Sequence, residues 1–129
     1  MTTFPDLHIM ADMLGITLTK HSGGLPGYYT HATRTISTRR GMSATMYRTV
    51  LAHELGHATY SDQPNHHGHY DQKQETRANR FAARLLIPET EWETAKAWCD
   101  GRVEEMASEL EVTPQLVEIY ARHIERKPQ

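Results

Sequence analysis

The five residues His53-Glu54-Leu55-Gly56-His57 constrain this chain more than any other stretch. The pattern is H-E-x-x-H. On an α-helix, residues four apart lie one turn apart on the same face, so both imidazoles can reach one metal ion. The glutamate sits about 100° round from the first histidine, beside that ion and free to act as a base. The flanks ask for the same helix. Ser43 is an N-cap for a helix over 44–60, and Met46, Val50, His53, Glu54 and His57 fall on one continuous arc. Leu51, Leu55 and Ala58 extend that arc on one side. A charged glutamate and two histidines at core-facing positions are costly unless paired or metal-bound. Gly56 in mid-helix costs ~1 kcal/mol relative to alanine and is expected where another element approaches closely.

Catalytic zinc takes three protein ligands and keeps a fourth position open, so a third ligand should follow. A second long helix is expected over 72–86. Glu75, Asn79, Ala82 and Leu86 share one of its faces, flanked by Ala78, Phe81 and Leu85. An acidic residue on such a face calls for an explanation, and a metal supplies one. Asn79, one turn further on, is placed to orient the carboxylate. The polar segment 61–71, with Pro64 and Gly68, is long enough to fold the second helix back on the first. The candidate site is therefore His53, His57 and Glu75 as metal ligands and Glu54 as the catalytic base. Two nitrogens and one carboxylate suit zinc, although the pattern leaves another divalent ion open.

The remaining chain surrounds these helices. A first helix is expected over 5–14, with Leu7, Met10, Ala11 and Leu14 at helical spacing and Gly15 ending it. Short alternating pieces follow at 16–20, 28–31 and 33–37, rich in Thr, Tyr and Ile and broken by glycine and proline. They read as a small antiparallel sheet of two or three strands. Pro88 opens a helix running toward Trp98, and helices are expected over 103–109 and 114–124, the last capped by Thr113. The fold class is α+β and mainly helical. The 129 residues suit one domain, with 101–125 as a C-terminal helical pair.

Composition narrows the partners. The net charge is −2, which offers no field to attract nucleic acid or an anionic membrane. Cys99 is the one cysteine, so no internal disulfide can form, and it reads as structural. The N-terminus has neither a basic region nor a long apolar run. No signal peptide or membrane span is expected, and a cytoplasmic location follows. Of nine histidines, His66, His67 and His69 lie in the polar loop and read as solvated. Residues 103–117 carry a helix-turn-helix pattern of apolar positions. However, 101–125 holds six acidic residues against Arg102 and Arg122, a poor balance for neutralising phosphates. Packing against the rest of the chain, or docking of a protein, is the expected role.

The two motifs together resemble a known family. Leu51-Ala52-His53-Glu54-Leu55-Gly56-His57-Ala58, followed by Glu75-x-x-Ala78-Asn79-x-Phe81-Ala82-Ala83-x-Leu85-Leu86-Ile87-Pro88, is similar to the ImmA/IrrE metallopeptidases. The resemblance implies a zincin-like fold, with zinc held by His53, His57 and Glu75. It also implies proteolysis of a regulatory protein, typically a helix-turn-helix repressor. The short chain looks like a stand-alone member of the kind found in phages and mobile elements. Glu54 would accept a proton from the attacking water and pass it to the leaving amine. Tyr60, His69, Tyr70 and Arg77 are the nearby donors for the developing oxyanion, and the sequence does not choose among them. Residues 28–37 could hold an extended substrate by strand addition. The alternative reading is a catalytically inactive module that binds a repressor or other protein. Oligomeric state is not legible.

Overall fold

A computed structural model describes residues 4–125. In chain order the described elements are α1 (Leu7–Met13), β1 (Thr17–His21), β2 (Gly27–Thr30), β3 (Thr35–Arg39), α2 (Ala44–Thr59), α3 (Gln72–Leu86), α4 (Glu89–Cys99), α5 (Val103–Leu110) and α6 (Pro114–His123). The fold is α+β and mainly helical, as the sequence pattern predicts.

The sheet departs from expectation in one respect. Its order is β1-β3-β2, with β2 antiparallel to β3 but β1 parallel to β3. It is a mixed sheet, not an antiparallel one. The tight turn at 31–34 closes β2 onto β3 as a hairpin. The connection from β1 to β2 instead crosses the end of β3, so β3 inserts between them. As the central strand, β3 buries Ile36, Ser37 and Thr38 in succession. The free edge on this side belongs to β2 alone. Of the 28–37 stretch expected to accept a strand, the β3 part is already paired on both edges.

Local chemistry sets the helix limits. The Ser43 hydroxyl accepts from the Met46 N–H and starts α2. Asp71 and Gln74 form a reciprocal capping box that starts α3, and Ile87-Pro88 ends it in extended backbone. The Thr113 hydroxyl caps α6, with Pro114 at its first turn. Arg34, in the β2–β3 turn, ties three elements together. Its guanidinium donates to the Leu14 carbonyl after α1, the Tyr29 hydroxyl on β2 and the Ala58 carbonyl near the end of α2.

The core runs continuously from Leu7 to Tyr120. Helix α2 lies at its centre, against α1, β2, β3 and α3. Its face carries Leu51, Ala52 and Leu55, all without solvent exposure. Gly56 is where α3 comes closest. A Cβ there would lie 3.0 Å from the Ala78 Cα and 3.2 Å from its carbonyl oxygen. The close approach expected at this glycine is real, and its partner is backbone. Helix α6 packs on α3 and α5, so the C-terminal pair extends the core across α3. Cys99 is buried in this region. Among the described residues, no helix is long and apolar enough to cross a membrane.

Candidate metal centre

His53 and His57 stand one turn apart on α2, and α3 brings Glu75 to them. The His57 Nε2 lies 2.6 Å from Glu75 Oε1 and 3.2 Å from His53 Nε2, and His53 Nε2 lies 3.4 Å from Glu75 Oε1. Ligands at ~2.0–2.1 Å from a tetrahedral zinc are separated by roughly 3.3–3.4 Å. Two of the three separations already match that spacing, and the third opens slightly to reach it. Among the described residues this is the one group of three metal-ligating side chains close enough to hold a single ion. His66 and His67 gather no such set. Their rings pack on each other at 4.0 Å on an exposed loop.

Glu75 sits in the first turn of α3, where the helix N-terminus favours a carboxylate. Ala78, Ala82 and Leu86 on the same helix face are buried, but the Glu75 side chain is 45% exposed. It stands where the buried stripe opens into a cleft. Hydrogen bonds from His53 and His57 hold its carboxyl well below the usual carboxylate range, so it is an anion. Asn79 lines the same cleft but makes no side-chain hydrogen bond to Glu75 among the described residues. The four-residue step carries it along the wall instead of back to the carboxylate.

The side chain that orients His57 is Asp62, whose place in a polar loop gives no sign of it in the sequence. Asp62 is 2% exposed, and its Oδ2 accepts from His57 Nδ1 at 2.9 Å. Its Oδ1 accepts from the Arg77 guanidinium, which reaches back from α3. This fixes the imidazole with Nε2 aimed at Glu75 and His53. The ring of Tyr70 stacks on the His57 ring at 3.8 Å and holds its plane. Burial disfavours the His57 imidazolium. Hydrogen bonds to Glu75 and Asp62, with the charge of Glu54, outweigh burial and raise its pKa. The pocket between these carboxylates is thus built for a positive charge, and a divalent cation at Nε2 fits the same demand.

Glu54 is buried beside the triad, and its Oε1 has no hydrogen-bond partner. Burial raises its pKa; the two histidines oppose that and Glu75 adds to it. A carboxylate so placed is a stronger base than an exposed one. Gly27 at the start of β2 makes this approach possible. A Cβ there would fall 2.5 Å from Val50 Cγ1 and 3.4 Å from Glu54 Cγ.

The four expected oxyanion donors separate into two groups. Arg77 is engaged by Asp62 and lies over the Tyr60 ring, while Tyr60 itself packs on Phe81 away from the cleft. His69 and Tyr70 line the cleft. Burial, and then the charges of Glu54, Asp62 and Glu75, push the Tyr70 phenol well above its usual pKa, so it remains a donor.

A helix carrying H-E-x-x-H, a small sheet along one side and a carboxylate from the next helix, close enough to share a metal with both histidines, make up a metallopeptidase type of site. The family profile described as the IrrE N-terminal-like domain, a peptidase family, matches residues 11–121, and this chain belongs to that family. Among curated proteins, none matches the chain. A solved structure described as a Mycobacterium tuberculosis transcriptional regulator aligns with a TM-score of 0.66 at 14% sequence identity. The alignment covers 93% of this chain and 40% of that one, so the chain spans less than half of the regulator's length. That likeness is one of fold.

Proposed function

We propose that this chain is a zinc-dependent endopeptidase in which His53, His57 and Glu75 hold the metal and Glu54 is the general base. One observation carries the reading: three ligand atoms from two helices converge beside a buried glutamate whose Oε1 is unpaired. Bound at this triad, zinc supplies Lewis acidity, lowering the pKa of water toward ~7 and polarising a peptide carbonyl. Glu54 takes the proton of the attacking water and delivers it to the leaving amine. Asp62 keeps His57 in one orientation throughout. Tyr70, or His69 beside it, donates to the charge that grows on the carbonyl oxygen. The open edge of β2 holds the substrate extended, by strand addition.

The substrate in this reading is a regulatory protein in the cytoplasm, such as a helix-turn-helix repressor, and neither nucleic acid nor membrane is a partner. Family membership and the pair of motifs support a protein substrate. The whole chain acts as one unit, with α6 lining one side of the cleft and α5 packed behind it. The test incubates the zinc-loaded protein with the repressor encoded nearest its gene and looks for new termini by mass spectrometry. Glu54→Gln should keep zinc and lose cleavage. Equal cleavage by the variant would remove Glu54 from the mechanism. Repressor binding without any cleavage would favour a non-enzymatic module.

A further inference from the structure

The cleft that holds the triad is larger than the reacting atoms need, at about 610 Å³. Its acidic and metal-ligating groups cluster at one end, around His53, Glu54 and Glu75, while Thr49, Thr113 and Gln115 add uncharged polar groups elsewhere in the lining. The other end runs along the first two turns of α2, where Met46 and Val50 form its floor. Leu25 and Tyr28 stand on one side of that floor, and Leu116 and Ile119 of α6 stand on the other. The lining carries no lysine or arginine among the described residues, and its only carboxylates are Glu54 and Glu75. A charged side chain entering the far end would lose its water and meet no counter-charge, which is costly. An aliphatic or aromatic one would cover apolar surface.

The rim already exposes such surface. Leu25 is 66% and Tyr28 43% exposed. Leu25 is fixed in position, since the His21 Nε2 donates to its carbonyl at 2.6 Å while His21 Nδ1 accepts from the Ser37 hydroxyl at 2.7 Å. The rim is therefore anchored to the central strand. Continuity with the triad and with the open β2 edge makes the occupant an extended peptide.

We propose that this apolar end of the cleft is a side-chain subsite that selects a large apolar residue next to the scissile bond, with α6 as the wall that sets its size. The inference rests on the peptidase reading. It gives the C-terminal helical pair a role in specificity, where its sequence suggested packing or docking.

The test treats the full-length, zinc-supplemented chain with a peptide mixture made by digesting an unrelated proteome with a glutamate-specific protease. New termini are read by mass spectrometry. At one of the two positions flanking the cut, Leu, Ile, Met, Phe and Tyr should exceed Asp, Lys and Arg by roughly ten-fold or more, the scale on which apolar pockets discriminate. Leu25→Glu, at an exposed position that the fold does not need, should cut this preference several-fold, and Ile119→Gln should do the same from the opposite wall. Cuts without side-chain preference, or a preference untouched by both variants, would overturn the proposal. If the wild type makes no cuts in these peptides, digestion of the repressor decides the peptidase reading, and the subsite is read by binding. The same mixture is then passed over immobilised Glu54→Gln protein. Retention of apolar-rich peptides that Leu25→Glu abolishes would uphold the subsite, and retention indifferent to that change would overturn it.

Discussion

Asp62→Ala should weaken metal binding more than any change outside the triad and Glu54. In the folded protein both Asp62 oxygens are engaged, Oδ2 by His57 Nδ1 at 2.9 Å and Oδ1 by Arg77. The two partners differ in how much they lose. His57 has no solvent exposure, so its Nδ1–H would be left without a partner in a dry site. Leaving a buried donor unsatisfied costs about 1–3 kcal/mol. The Arg77 side chain is 39% exposed, so water replaces most of what it loses, and its share is below about 1 kcal/mol. The metal-free protein should thus lose about 1–4 kcal/mol of stability. Loss of the group that orients a metal-binding histidine typically costs 10–100-fold in affinity. Asp62→Asn keeps an acceptor for Nδ1 and should retain affinity to within about ten-fold of the wild type. Competition against a chromophoric zinc chelator measures affinity, and urea unfolding with EDTA present measures stability. An Asp62→Ala protein with wild-type zinc affinity would refute the claim that Asp62 orients His57.

Gly56→Ala gains ~1 kcal/mol of helix propensity but drives a Cβ to 3.0 Å from the Ala78 backbone. Since overpacking costs ~1–3 kcal/mol, the urea midpoint should fall or stay level, and zinc affinity should fall as α2 and α3 separate. A more stable protein with unchanged affinity would show that the contact is slack. Gly27→Ala should cost about 1–3 kcal/mol through Val50 and narrow the cleft beside Glu54. Slower peptide cleavage, with zinc content retained, is the expected readout. Burial, then Glu89, Glu93 and Glu125, raise the pKa of the Tyr120 phenol. The unfolded chain ionises tyrosine near pH ~10 while the folded chain keeps the proton, so stability is full below pH ~10 and declines above it. Tyr120→Phe should flatten that decline in denaturation curves taken between pH 9 and 11 (roughly the accessible window).

Much of this was legible from sequence because the signals were local. The spacing of His53 and His57 fixes a helix, Ser43 caps it, and the apolar stripe from Ala78 to Leu86 places α3, so both site helices fall where their patterns place them. Gly56 announced a close neighbour through its cost in mid-helix. Strand direction was not legible. Thr17–His21 would read the same beside either face of a hairpin, and only the path of the chain over β3 makes that pair parallel. Asp62 was hidden for a similar reason. It looks like any polar loop residue until α3 folds back and Arg77 meets it. The same folding leaves Glu75 more open than its helical stripe suggested and directs Asn79 to the cleft wall. Leu116 and Ile119 gave no hint of a role near the metal, since α6 reaches the cleft only by packing across α3.

The most direct test of the central claim is the metal content of the purified, untagged protein alongside His53→Ala, Glu75→Ala and Glu54→Gln. About one zinc per chain is expected in the wild type and in Glu54→Gln, with loss in His53→Ala and Glu75→Ala. Metal that is absent from the wild type after supplementation, or that persists through both ligand changes, would contradict it.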